Sequence, residues 1–146
     1  MDNKEIAKKL SSLVQLDIDA VHAYKEAIEK VDDLQVREHL TQYRQDHERH
    51  ISDLSAEIRR LGGTPPEFSL DFKGYLIKGF TSLRSATGTK GALNAMHTNE
   101  KLTNKEYEAA KYWDMSPDLK QMIALAREDE RRHLEYIERA LEEKPH

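Results

Sequence analysis

Apolar positions recur at steps of three, four and seven over four long stretches of the chain, the spacing that lays one stripe along a helix. Leu10, Leu13, Ala20, Tyr24, Ala27 and Val31 predict a first helix from about Lys4 to Val31. Asp2 and Glu5 stand at capping-box spacing at its start. The second stripe is Val36, Leu40, Tyr43, His47, His50, Leu54, Ile58 and Leu61, on a helix starting near Asp32 or Asp33. Gly62-Gly63 supplies its stop, and Pro65-Pro66 prevents resumption. A third helix, from about Lys90 to Tyr112, carries Leu93, Met96, Glu100, Thr103, Tyr107 and Ala110. Ser116-Pro117 opens the fourth, with a capping hydroxyl and a proline suited to the first helical position. Its stripe is Leu119, Ile123, Ala126, Glu130, His133, Ile137 and Ala140, and it stops near Pro145.

Residues 62–90 form a long connection in which Phe68, Leu70, Phe72, Tyr75, Leu76, Phe80 and Leu83 suggest a short amphipathic helix. A connection of this length lets the third helix run parallel to the second, as in bundles with one crossover. The expectation is a single all-α domain over residues 1–146, a four-helix bundle with halves at about 4–61 and 90–143.

Each stripe is broken near its middle by polar residues. A shift of 83 residues aligns those breaks. Arg44-Gln45-Asp46-His47-Glu48-Arg49-His50-Ile51 falls on Arg127-Glu128-Asp129-Glu130-Arg131-Arg132-His133-Leu134 without a gap. The same shift takes Asp17 to Glu100, Tyr24 to Tyr107 and Leu40 to Ile123. Two helical hairpins related by an approximate two-fold would therefore form the bundle. Each gives one carboxylate from its first helix, Asp17 or Glu100, and a pair from its second, His47/His50 or Glu130/His133. Spacing of i, i+3 puts both members of a pair on one face. Unpaired charge on a core seam is costly, so these six need partners or a metal.

The chain has no Cys, so any metal is held by His, Asp and Glu, donors that suit iron, manganese or zinc. In di-metal carboxylate bundles two helices give one Glu each and the other two give Glu-x-x-His.

On these residues the chain resembles the ferritin-like superfamily, especially bacterioferritins and rubrerythrin-type bundles. Asp17 followed seven residues later by Tyr24 is similar to the superfamily's first-helix motif, and Glu130-Arg131-Arg132-His133 to its Glu-x-x-His motif. The likeness covers roughly residues 5–143, although the crossover looks more like a side branch than like ferritin itself. It implies a ferritin-like bundle in which Asp17 and Glu100 are terminal ligands, Glu130 bridges two ions, and His50 and His133 each bind one. It also implies that Asp46 and Asp129 orient ligand imidazoles and that Tyr24 and Tyr107 hydrogen-bond to ligand carboxylates across the bundle. One departure stands out: His47 occupies the place of a second bridging Glu. Three outcomes follow: two metals with altered bridging, one metal on the Glu130 side, or recruitment of His97. Asp17 is also one methylene shorter than the Glu of the pattern.

The resemblance implies an iron centre, of two ions or one, that oxidises Fe(II) or reduces oxygen or peroxide. A non-catalytic iron or zinc site, and a metal-free helical module that binds a partner, are the alternatives. Haem is not expected, since Glu48 stands where a bacterioferritin-like Met would follow His47. Few residues follow the fourth helix, where shell-forming relatives carry a fifth, so cage-type storage is not expected; a homodimer is the assembly the likeness suggests. Charged residues make up 34% of the chain and the net charge is −4, which gives no basic field for nucleic acid. No run approaches the ~20 apolar residues of a membrane span, and MDNKEIAKKL lacks the apolar core of a signal peptide, so a cytoplasmic protein is expected. Simpler readings apply to single residues. Asp46 and Asp129 have the spacing of surface ion pairs with Arg49 and Arg132, and His22, His39 and His146 read as ordinary surface or core imidazoles.

Overall fold

Four stripes become four helices: α1 (Asn3–Lys30), α2 (Leu34–Arg60), α3 (Gly88–Ala110) and α4 (Pro117–Glu143). They are seen in a computed structural model that describes residues 1–69 and 83–143. Among the described residues there is no strand.

The ends are set where the sequence places them. The Asp2 carboxylate accepts the Glu5 N–H at 2.9 Å, and Asp33 accepts the Val36 N–H at 3.0 Å. Ser116 Oγ accepts the Leu119 N–H at 3.3 Å. Each side chain satisfies a first-turn amide that has no partner within its own helix. At the end of α2, Gly62 takes φ +90°, a left-handed conformation open to glycine and strained for other residues. That turn brings the Gly62 and Gly63 amides to the carbonyls of Arg59 and Ile58, at 3.0 and 2.9 Å. The third helix begins slightly earlier than its apolar stripe suggests, at Gly88. Most of the short amphipathic helix expected between Phe68 and Leu83 falls on residues 70–82, outside the described residues; residues 83–85 are helical. Of its flanks, Phe68 lies against His22 and Leu83 is fully buried.

Cross-helix pairs fix the directions. Tyr24 meets Glu100 while Asp17 meets Tyr107, so α1 and α3 are antiparallel. Asp46 meets His133 while Asp129 meets His50, so α2 and α4 are antiparallel too. With α1 and α2 forming a hairpin, α2 and α3 run parallel, and the long connection between them is the crossover.

Two apolar clusters fill the interior. One gathers Tyr24, Ala27, Val36, Leu40, Leu93, Met96 and Ile137; the other gathers Leu10, Leu13, Val14, Leu54, Ile58, Leu119 and Ile123. The polar seam residues lie between them, at mid-height. Every stripe position of α2, α3 and α4 is buried except Leu61, which is partly exposed. Helix α1 is covered on a wider arc, since Ile6, Ala7, Ile18, Val21 and Ala23 are buried as well. It packs against both α2 and α3, and α4 packs mainly against α3. Among the described residues, no helix is long and apolar enough to cross a membrane.

Candidate metal centre

Asp17, His47, His50, Glu100, Glu130 and His133 converge between the two apolar clusters. Each is between 0% and 4% exposed. They form two overlapping groups, each able to hold a metal ion: Asp17, His47, His50 and Glu130, and His47, Glu100, Glu130 and His133. His47 and Glu130 belong to both. All six residues singled out in the sequence are thus brought together.

The approximate two-fold organises the contacts. His50 Nδ1 faces inward, 3.2 Å from Asp17 Oδ1 and 3.5 Å from Glu130 Oε1. His133 Nδ1 faces inward on the other side, 3.4 Å from Glu100 Oε1 and 3.5 Å from Glu130 Oε2. Both rings point Nε2 outward. His50 Nε2 lies 2.9 Å from Asp129 Oδ2, and His133 Nε2 lies 2.8 Å from Asp46 Oδ2. A ring that donates its Nε2–H to a carboxylate presents an Nδ1 lone pair to the centre, the arrangement that fixes metal-binding imidazoles. Tyr24 donates its hydroxyl proton to Glu100 Oε1, and Tyr107 donates to Asp17 Oδ2.

Asp46 and Asp129 also meet the two arginines. Arg49 reaches Asp46 at 3.1 Å and also pairs with Asp129; Arg132 reaches Asp129 at 2.8 Å and Asp46 at 3.3 Å. The ion-pair reading and the imidazole-orienting reading of these aspartates therefore hold together. Four charges bridge α2 and α4 directly outside the ligand groups.

His47 departs from this symmetry. Its Nδ1 is 2.7 Å from Asp17 Oδ1 and 3.4 Å from Glu130 Oε1, while Nε2 is 3.1 Å from Glu100 Oε1. His97 does not join the centre: its Nε2 lies 3.0 Å from Glu138 at the surface, because α3 turns that position away from the seam. His39 contacts the Gln35 carbonyl at 2.8 Å, and His146 lies outside the described residues.

Two contributors were not assigned to the site from the sequence, although Thr103 stands on the α3 stripe. Thr103 Oγ1 lies 3.1 Å from Glu100 Oε2 and 3.2 Å from Glu130 Oε2. Asn104 Nδ2 donates to the carbonyls of Glu100 and Glu130 at 2.8 and 2.9 Å, tying α3 to α4 at the height of the site. The 83-residue shift pairs them with Ala20 and Val21, so the repeat carried no signal for either.

Electrostatics follow from burial and close opposite charge. Burial works against the charged form of His47, but Glu130, Asp17 and Glu100 outweigh it and raise the ring to about 10. Burial also opposes His50, which Asp17 and Asp129 hold up to about 12. His133 is raised well above the ordinary imidazole value despite burial, chiefly by Glu100 and Asp46. Asp17 and Glu100 are pushed the other way: burial favours their neutral forms, yet the facing imidazoles hold both below the usual carboxylate range. Without metal, protonated imidazoles and carboxylates neutralise one another.

Fit to a metal is tested by what this network leaves undone. Glu130 Oε1 and His133 Nδ1 are fully buried and have no hydrogen-bond partner. Both belong to the ligand groups and both aim into the centre. Buried polar atoms left unsatisfied cost about 1–3 kcal/mol each, and a cation that takes the place of the imidazole proton and bonds to both atoms would remove the cost. The donor set of carboxylates and imidazoles suits a divalent transition metal. A cleft of about 290 Å³ lies between α2 and α4, with His50 and Asp129 in its wall.

A family profile described as Domain of unknown function (DUF2383) matches residues 5–111. The chain belongs to this family. The DUF2383 match takes in α1, α2 and α3, and with them Asp17, His47, His50 and Glu100. Glu130 and His133, on α4, lie beyond the matched residues and are tied to the site by its geometry. No curated protein and no solved structure matches the chain.

Proposed function

We propose that the protein is a ferritin-like metal protein whose centre holds two divalent transition-metal ions, with iron supporting Fe(II) oxidation or the reduction of oxygen or peroxide. The observation that carries this reading is the pair of overlapping ligand groups with two buried polar atoms that have no hydrogen-bond partner aimed into them. Asp17, His50 and Glu130 would hold one ion; Glu100, His133 and Glu130 would hold the other. Bound ferrous iron would supply electrons, two from a pair, enough to take peroxide and two protons to water.

The residues around the centre have separable tasks. Asp129 and Asp46 hold His50 and His133 with Nδ1 inward. Tyr107 and Tyr24 anchor one oxygen each of Asp17 and Glu100. Thr103 contacts one oxygen of Glu130. Apolar layers above and below exclude water, which strengthens every charge interaction between them.

The test is anaerobic addition of Fe(II) to the metal-free chain, followed by oxygen. A ferric absorption band is expected, and Glu130→Ala should abolish it. An unchanged band in that variant would sink the assignment. His47 favours a second reading, an iron or zinc site without turnover, because an imidazole stands where a bridging carboxylate is expected. Tight zinc binding together with no oxygen consumption by the iron-loaded chain would decide for it.

A further inference from the structure

We infer that His47 is a bridging ligand that joins the two metal ions through its two ring nitrogens. The inference rests on the two-ion reading above and concerns a residue for which that reading has no role.

Geometry is the first support. His50 and His133 each turn one nitrogen to the centre and one to an aspartate outside it. His47 has no outside. Its Nδ1 sits with Asp17 and Glu130, the carboxylates of the first ligand group. Its Nε2 sits with Glu100, a carboxylate of the second. The ring is fully buried, and all three of these partners are themselves ligand candidates. No aspartate from outside the centre is bonded to either nitrogen; its hydrogen-bond partners, Asp17 and Glu100, are themselves ligand candidates, so ions that take their oxygens would free both nitrogens.

Charge is the second support. Asp17, Glu100 and Glu130 offer three negative charges, one fewer than two divalent ions need. Asp46 and Asp129 do not make up the difference, because Arg49 and Arg132 already neutralise them at the site's edge. A net charge left in a buried, water-poor site is costly. An imidazole bound through both nitrogens has lost its ring proton and carries one negative charge. Two divalent ions, three carboxylates and one imidazolate are then neutral. His47 thus replaces the missing carboxylate in charge as well as in position.

The proton balance is simple. In the metal-free chain the ring carries a proton on each nitrogen, and the first of these leaves to water as the ring binds one ion. As the second metal–nitrogen bond forms, the remaining N–H proton leaves to water. No electron moves, so redox-inert zinc is a sufficient probe. The consequence is a specificity one: a ring held between the ions prevents them from sharing a single oxygen of a carboxylate at that position, and it favours metals that bind nitrogen well.

The test uses the full chain loaded with zinc. Native mass spectrometry counts the ions, and long-range proton–nitrogen correlation of the histidine rings reports each nitrogen. The expected result is two zinc ions per chain. His47 should show two metal-bound nitrogens and no ring N–H, while His50 and His133 each keep one N–H at Nε2. His47→Gln identifies the His47 signals by their loss and should reduce the count from two ions to one. Two zinc ions with a ring N–H retained on His47 would overturn the bridge and leave the two-ion centre standing. Fewer than two ions in the unaltered chain would overturn both. The spectrum of the unaltered chain decides the matter even if His47→Gln fails to fold.

Discussion

Asp46 and Asp129 are each half in the site and half on the surface, and this dual position makes them the sharpest probes of it. Each accepts from a candidate ligand imidazole and pairs with an arginine, so a change in metal binding has to be separated from a change in folding. Replacement by Asn keeps the size and removes the charge. We expect Asp46→Asn and Asp129→Asn each to weaken zinc binding about 10–100-fold, the usual range for partners that orient a metal-bound imidazole. Helix content should not change. Because the two residues are related by the approximate two-fold, their effects should be similar; competition with a chromophoric chelator measures both. An effect confined to thermal stability would mean that only the ion pairs matter. The sequence located all six seam residues, because burial and the repeat point to the same positions. The contacts of Thr103 and Asn104 with the site stayed hidden for a physical reason. A hydroxyl and an amide on a helix are common in any setting, and only the packed neighbour shows what they touch.

Among the helices, the junction between the two hairpins is held by a buried hydroxyl together with Lys30, which donates to the carbonyls of Arg84 and Ala86. Thr89, in the first turn of α3, is buried and accepts from the amides of Asp32 and Asp33 at 3.0 and 3.2 Å. Those amides belong to the turn that leads into α2. Arg37 closes the same turn from the other side, donating to the Val31 carbonyl at 2.8 Å. Thr89→Val keeps the shape and removes the acceptor, leaving two amides unsatisfied. A loss of about 1–3 kcal/mol in unfolding free energy is expected from urea denaturation, with Thr89→Ser retaining most of the stability. A loss below a few tenths of a kcal/mol would show that water replaces the hydroxyl. The helices were legible from their stripes and caps because propensity, periodicity and capping agree. The wide buried arc of α1 was not. Ile18, Val21 and Ala23 lie off the single stripe, and their burial depends on α1 facing two neighbours, which periodicity along one helix cannot report.

For the molecule as a whole, a metal held at this centre would compete with protons for the same imidazoles, so the metal-free and metal-loaded forms should respond to pH in opposite senses. In the metal-free chain His47 and His50 are raised from 6.5 to about 10 and about 12 by the facing carboxylates. A raised imidazole contributes stability that is fully present below its unfolded value near 6.5. That stability is lost as pH climbs through the folded values. The melting temperature of the metal-free chain should therefore decline between pH 7 and 10. The lowered carboxylates Asp17 and Glu100 act at the other end, where their contribution is lost as pH falls below the ordinary carboxylate range. Zinc needs the imidazoles without their protons, so its affinity should rise over the interval in which the metal-free chain weakens. At a free concentration one hundred times the dissociation constant, binding adds about 2.7 kcal/mol, or roughly 5–10 °C for a domain of this size. Melting curves with zinc and with a chelator, taken from pH 6 to 9, should show a gap that widens with pH. A gap that stays constant would mean that no imidazole proton is displaced and that the metal sits on carboxylates alone. The absence of any gap would leave the converging side chains as a neutralised polar layer in a helical bundle.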